Sequence, residues 1–361
     1  MNILIITSHM NPGGISRYVI NIVKGLSGKH SLFVASSGGE WEERLEKLGC
    51  KHIFIPLSTK SIFSLKVFKS FFILKRFISA YNIDLVHAHT RVSQFLAYLI
   101  WRLLNIPYVS TFHGYYRPHI FRKIFKFEGL LTISISKAVK EHLVLELGIK
   151  SDKIRIVYNG IDKEEFKKVD REEIKKKFNI RGSPLIGIIS RLSEEKNHQV
   201  LINAFSSLIN DFPDANLIIA GRGRLKNFLK DMAREKNIED KTFFLEAFDS
   251  WEILSILDVF VLPSLKEGFG FSVIEAQYIG VPVIVSRAGG LGEIVEDKET
   301  GLVINESNSS DLYEAIKLIL KDKNLRDKII TNARQKVERE FLLDKMTKGI
   351  ENVYREVLNG G

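Results

Sequence analysis

Glu267 and Glu275 stand eight residues apart in "EGFGFSVIEA", with a Gly-Phe-Gly turn between them. Glycines let a backbone come close to a ligand and adopt turns that other residues resist. A helix starting near Ser272 directs its free N–H groups and positive dipole end at that turn, which makes an anion site suited to phosphate. Glu275, placed by this reading in the helix's first turn, cannot bind a phosphate because like charges repel. It is suited to accept two hydrogen bonds from a diol, and Glu267 to accept from hydroxyls of a second sugar. The plainer reading of Glu275 is a carboxylate that complements the helix dipole, worth ~0.3–1 kcal/mol. Upstream, Arg191 and Lys196 lie five residues apart in "GIISRLSEEKNHQVLINAF", after a strand and before a helix. A guanidinium fork and an ammonium point charge together neutralise a diphosphate. Singly, each is an ordinary solvated loop cation. Two cations, a glycine anion site and two hydroxyl-accepting carboxylates form a set for a sugar nucleotide.

These motifs need strands whose carboxyl ends open into loops. Short apolar, β-rich runs occur at 3–7, 32–35, 52–55, 85–89, 108–112, 130–133 and 155–157, and again at 186–189, 216–220, 242–245, 259–262, 281–285 and 302–304. Helical patterns lie between them, for example at 15–26 and 138–147. Such alternation predicts parallel sheets covered on both faces. A chain of 361 residues exceeds what one core supports. The polar stretch "VYNGIDKEEFKKVDREEIKKKF", with its Asn159-Gly160 turn signal, separates the halves, and a fresh strand follows Pro184. The expectation is an α/β protein of two Rossmann-like, doubly wound domains, 1–160 and 161–340, facing each other across an interdomain cleft. Ligands bind beyond the carboxyl ends of such strands.

In the first half, Gly13-Gly14 in "NPGGISRYV" is another close-approach loop, although neither it nor "GRGRLK" matches a dinucleotide fingerprint. His113 ends the strand "YVSTF" and is assigned a polar role there. His87 and His89 share one strand face and raise the question of a metal, but with no third ligand placed nearby we read them as strand-end packing. No Ser-His-Asp spacing or Walker loop occurs.

Hydrophobic and charged fractions of 45% and 27% describe an ordinary globular chain. No apolar run reaches the ~18 residues of a membrane span, and the apolar start "MNILIITS" reads as a strand rather than a leader. Cys50 is the only cysteine, so no intramolecular disulfide is expected, which fits a reducing compartment. The net charge is +10, and between Glu46 and Glu128 thirteen lysines and arginines face a single acid, Asp84. That imbalance attracts anions: phosphorylated substrate, anionic lipid or nucleic acid. Nucleic acid has only charge in its favour, with no helix-turn-helix or stacking signature. "KSIFSLKVFKSFFILKRF" and "RPHIFRKIFKF" mix phenylalanines with cations, a composition suited to a membrane interface. The first also fits a core-packing helix, since no single clean apolar stripe emerges.

The ordered motifs resemble the retaining, nucleotide-sugar-dependent glycosyltransferases of family 4, which have the GT-B fold. The pair Glu267 and Glu275 carries the resemblance, with "RLSEEKNH", "DVFVLPS", "GVPVIVSRAGGLGEIV" and "TGLVI" around it and "DLVHAH", "TFHG" and "NGID" upstream. The resemblance implies catalytic roles for Arg191, Lys196, Glu267 and His113. Arg191 and Lys196 would hold the donor's pyrophosphate and stabilise the departing nucleoside diphosphate. Glu275 would hold the ribose. Glu267, with the backbone of Gly268, Phe269 and Gly270, would hold the donor hexose, and His113 would contact that sugar. Gly14 would pass close to the phosphates, and the base would rest near 246–251, with Phe248 beside it. A final helix at about 341–361 would return to the first domain. Glu246 stands where the family often has glycine, which leaves the base open. The implied reaction is transfer of a hexose-type sugar from a nucleoside-diphosphate sugar to a hydroxyl of a glycan or lipid-linked acceptor, with retention, no metal and no cofactor. It would serve cell-surface polysaccharide or lipopolysaccharide synthesis, in the cytoplasm or peripherally on an anionic inner membrane face. A nucleotide-sugar epimerase, a sugar phosphorylase and a non-catalytic nucleotide-sugar binder stay open as alternatives.

Overall fold

A computed structural model describes residues 1–118, 120–166, 170–246, 249–305 and 308–360. The chain divides into two units: Met1–Gly160 with Leu343–Gly361, and Ile161–Leu342.

Unit 1 contains β1 (Asn2–Ile6), α1 (Gly14–Leu26), β2 (Ser31–Ser36), α2 (Glu42–Lys47), β3 (Lys51–Phe54), α3 (Leu65–Tyr81), β4 (Leu85–Ala88), α4 (Arg91–Leu104), β5 (Tyr108–Phe112), α5 (Ile120–Ile124), β6 (Leu131–Ser134), α6 (Lys137–Leu145) and β7 (Ile154–Ile156). Unit 2 contains α7 (Arg171–Lys177), β8 (Leu185–Ile189), α8 (His198–Leu208), β9 (Asn216–Ala220), α9 (Lys226–Glu235), β10 (Thr242–Leu245), α10 (Ser250–Ile256), β11 (Val259–Leu262), α11 (Phe271–Ile279), β12 (Val283–Ser286), α12 (Leu291–Ile294), β13 (Leu302–Ile304), α13 (Ser309–Lys321) and α14 (Lys323–Glu340). The last helix, α15 (Leu343–Asn359), belongs to unit 1.

The strand order is β3-β2-β1-β4-β5-β6-β7 in unit 1 and β10-β9-β8-β11-β12-β13 in unit 2. Every pairing is parallel. The order reverses between β1 and β4 in one sheet and between β8 and β11 in the other, giving each a switch point at its carboxyl edge. The inner strands β4, β5, β9, β11 and β12 are buried along their whole length, which is why they read as unbroken apolar runs. β12 starts at Val283, two residues later than its apolar run suggests, because Pro282 has no N–H for the ladder. The Pro282 carbonyl still accepts from Phe260 N at 3.0 Å.

Helix α3 settles the question left by its composition. Val67, Phe71, Leu74 and Ile78 recur at helical spacing and pack into the core with Leu96, Ile100, Leu4 and Val86. On its other side Leu65, Phe68 and Phe72 stay exposed. The helix therefore has one buried apolar face and a second apolar face in solvent. On the opposite layer, α15 packs on α1, β5 and β6, burying Met346, Ile350 and Tyr354. Each such side chain contributes ~1.5–3 kcal/mol relative to exposure.

Candidate active site

In unit 2 the site residues gather beyond β8 and β11. Arg191 follows β8 by two residues and is exposed. Lys196 closes a one-turn 3-10 segment, Glu194–Lys196, and its ammonium forms an ion pair with the Glu267 carboxylate. The two side chains are only 20% and 15% exposed, so solvent screens the pair weakly. Backbone straps align the loops: Leu265 N donates to Glu195 O at 2.8 Å, and Gly290 N to Glu267 O at 3.0 Å. A Cβ on Gly290 would lie 2.3 Å from Gly268 O, so only glycine permits this contact.

Gly270 sits at φ +115°, in the left-handed region that favours glycine, and no side chain caps α11 there. Phe269 is buried, its ring 5.5 Å from Phe341. Its side chain thus anchors the turn, and what it offers a ligand is backbone. Glu275 does not lie in the first turn of the helix, where its spacing from the glycines had placed it. Helix α11 begins at Phe271 and has no acid in its first turn. Glu275 is the fifth helical residue, in the second turn, and is buried. Its burial deep in an apolar helix exceeds what dipole complementation at a surface requires. Neighbouring Gln277 spends its amide on Thr300 O at 2.9 Å. His198, which sequence reasoning passed over, is buried with Nε2 3.1 Å from Ser190 Oγ and braces the loop carrying Arg191. Burial, assisted by the Lys196 charge, pushes its pKa down to about 4.

Glu246 is paired with Lys226 at 2.5 Å and lies 3.9 Å from Arg222. Phe248, assigned to the base, lies outside the described residues. The glycines of "GRGRLK" are also explained: a Cβ on Gly223 would be 2.2 Å from Leu192 O, so this loop packs directly on the one that carries Arg191.

In unit 1 the residues gather beyond β1, β4 and β5. Gly14 is the first residue of α1, and a Cβ built on it meets nothing within 4 Å. Neither packing nor backbone angle demands glycine there, which leaves an open approach for a ligand. His113 follows β5 and is half-buried. Contrary to the sequence reading, His113 does stand next to the histidine pair: its Nε2 is 3.1 Å from His89 Nδ1. His87 contacts Tyr354 Oη through Nδ1 and Thr111 Oγ1 through Nε2, both at 2.7 Å. Tyr18 stands edge-on to His113, with ring centroids 4.8 Å apart. His87 thus spends both ring nitrogens on hydroxyls, as a packed strand-end residue does. Burial lowers the pKa of His87 and of His113 to about 3 each, and that of His89 well below the ordinary histidine value. The imidazoles are therefore neutral at pH 7. The signal lay in the register. His87 aligns with Val109 in the β4–β5 ladder, so Thr111 is its diagonal neighbour, and the same 24-residue offset joins His89 to His113.

Family models match both units: "Glycosyltransferase Family 4" over residues 12–165 and "Glycosyl transferases group 1" over 170–336. The N-acetyl-alpha-D-glucosaminyl L-malate synthase of Bacillus anthracis is 30% identical over 291 residues, covering 77% of this chain and 76% of that protein. The Escherichia coli UDP-Gal:alpha-D-GlcNAc-diphosphoundecaprenol alpha-1,3-galactosyltransferase is 29% identical, covering 84% of each. Among solved structures, a glycosyltransferase from Rickettsia africae ESF-5 superposes with a TM-score of 0.87 at 25% identity, over 100% of this chain and 99% of that one. With two parallel doubly wound sheets, the motif residues at their switch points and these relatives, the chain belongs to family 4 of the glycosyltransferases and has the GT-B fold.

Proposed function

We propose that the chain transfers a hexose-type sugar, with retention, from a nucleoside-diphosphate sugar to a hydroxyl of a lipid-linked or glycan acceptor in cell-surface polysaccharide or lipopolysaccharide synthesis. The observation that carries this reading is the grouping of Arg191, Lys196, Glu267 and the Gly268–Gly270 turn at one switch point. Arg191 and Lys196 neutralise the diphosphate, and Lys196 exchanges part of its bond to Glu267 for phosphate oxygens as donor binds. Glu267 then has lone pairs available for the hexose hydroxyls. Glu275 accepts from the ribose diol. As the sugar–phosphate bond breaks, charge grows on the leaving diphosphate, and fixed cations aimed at it supply the largest single catalytic contribution. Such a set needs no metal or cofactor, and His113 contacts the donor sugar. We assign no enzymic nucleophile.

The acceptor class draws support from two sides. The E. coli relative acts, by its name, on a diphosphoundecaprenol-linked sugar. In unit 1, Leu65 and Phe72 of α3 are 84% and 64% exposed, among Lys66, Lys69, Lys75 and Arg76. Apolar side chains flanked by cations fit an anionic lipid surface, which would put the enzyme peripherally on the inner face of the cell membrane. No described helix is long and apolar enough to cross a membrane.

The test is a panel of UDP-, GDP- and ADP-sugars with a polyprenyl-diphosphate sugar acceptor, with and without chelator, read as nucleoside diphosphate release. One nucleotide series should turn over, chelator should change nothing, and Lys196→Ala or Arg191→Ala should cost ~2–4 kcal/mol of transition-state stabilisation. Wild-type rates in both variants would remove the diphosphate assignment.

A further inference from the structure

The histidine at the edge of β5 has its own internal logic. His113 Nε2 and His89 Nδ1 are 3.1 Å apart, so one of these nitrogens carries the proton and the other accepts it. The choice is settled at the far side of His89. Its Nε2 is enclosed and has no hydrogen-bond partner among the described residues. A buried N–H with no acceptor is the rarer fault, whereas an unmatched acceptor lone pair is tolerated more often. The proton of His89 therefore sits on Nδ1. The residue is held at its backbone, where N donates to Ser93 Oγ at 3.1 Å, and at its ring, whose centroid is 4.1 Å from that of His87 and which stands edge-on to Tyr18.

We infer that His89 is a positioning residue: by donating from Nδ1 into His113 Nε2, it holds His113 in the tautomer that carries its proton on Nδ1. His113 then faces its ligand as a neutral hydrogen-bond donor and not as a base. His113 Nδ1 is suited to that role, since the residue is half-buried and its bond to His89 uses Nε2. The ligand chemistry follows: an acceptor oxygen of the sugar, such as a hydroxyl with a free lone pair. This Nδ1–H form is the minority tautomer of free neutral imidazole, so without His89 the proton would shift toward Nε2 and the donor would be lost. The inference rests on the proposed contact between His113 and the donor sugar.

The experiment uses the full chain labelled with 15N-histidine, and reads two-bond nitrogen–proton correlations near pH 7. His113 is assigned by the peaks lost in His113→Asn. The wild type should show His113 neutral with its proton on Nδ1. In His89→Leu the proton should move toward Nε2 and the donor KM should rise about fivefold to tenfold, as for loss of one hydrogen bond. In His89→Asn, whose amide N–H can reach His113 Nε2, both the tautomer and KM should stay near wild type. Rescue by asparagine excludes a purely packing role for His89. A wild-type spectrum with the His113 proton on Nε2, or a His89→Leu variant that is folded and keeps both the tautomer and KM, would overturn the inference. A chain that turns over no nucleotide sugar defeats the glycosyl-transfer reading instead, and the wild-type spectrum still decides the tautomer.

Discussion

Gly14 offers a clean separation of fold from function. It opens α1, its φ is not in the left-handed region, and a Cβ there meets nothing within 4 Å. Gly14→Ala therefore costs no packing, and it restricts the unfolded chain. The expected gain is ~0.4–1 kcal/mol. For a domain the size of unit 1, that is a rise in Tm of about 1–4 °C. The activity should move the other way. If a phosphate oxygen must approach the backbone here, the new methyl occupies its path and displaces the donor by on the order of 1 Å, which can cost about 100-fold. We expect a kcat/KM for donor reduced about 10- to 100-fold, together with a Tm equal to or above wild type. Steady-state kinetics and a melt on the same preparation read both numbers. Gly223→Ala is the contrast, because its Cβ would fall 2.2 Å from Leu192 O. It should lower activity only along with Tm. A Gly14→Ala enzyme with raised Tm and unaltered kcat/KM would refute the idea that this glycine is kept for a ligand.

The neutral histidines make unit 1 sensitive to mild acid. His30, His87, His89 and His113 all have lowered pKa values, so the unfolded chain binds more protons below its histidine pKa of ~6.5. Stability is complete above about pH 6.5 and falls as pH drops toward the folded values, by at most ~1.4 kcal/mol per pH unit for each group. Unit 2 has only His198 in this position. Denaturant titrations at pH 7 and pH 5, read by Trp41 and Trp101 for unit 1 and by Trp251 for unit 2, should show the larger loss in unit 1; equal losses would contradict this. Flotation with phosphatidylglycerol vesicles tests the α3 surface: Phe68→Ser with Phe72→Ser should reduce bound protein severalfold at low salt without lowering Tm, and unchanged flotation would exclude this face.

The fold was largely legible because its inner strands are buried on both sides and therefore spell themselves out as apolar runs. β5, β9, β10, β11 and β13 begin and end where the runs do. The limits were set by single residues with backbone consequences, as at Pro282. At the site, residue types and order sufficed for the family, but pairing did not show. Lys196 and Glu267 are expected at different parts of one ligand, yet their side chains pair with each other across 71 residues of sequence. The neighbourhood of His89 and His113 depends on the β4–β5 register, which spacing alone does not give. Helix α3 was ambiguous for a different reason: two apolar faces on one helix cancel each other's periodicity.

The placement of α15 has a consequence for biosynthesis. Residues 343–359 complete a core begun by residues 1–160, with all of unit 2 intervening in the chain. On the ribosome, unit 2 can therefore finish folding before unit 1 has its last helix. Until then the nascent first sheet presents the uncovered seats of Tyr354, Ile350 and Met346 to solvent. A stalled or prematurely terminated message would release a protein whose second half is sound and whose first half is an exposed apolar surface, the form that chaperones and proteases recognise.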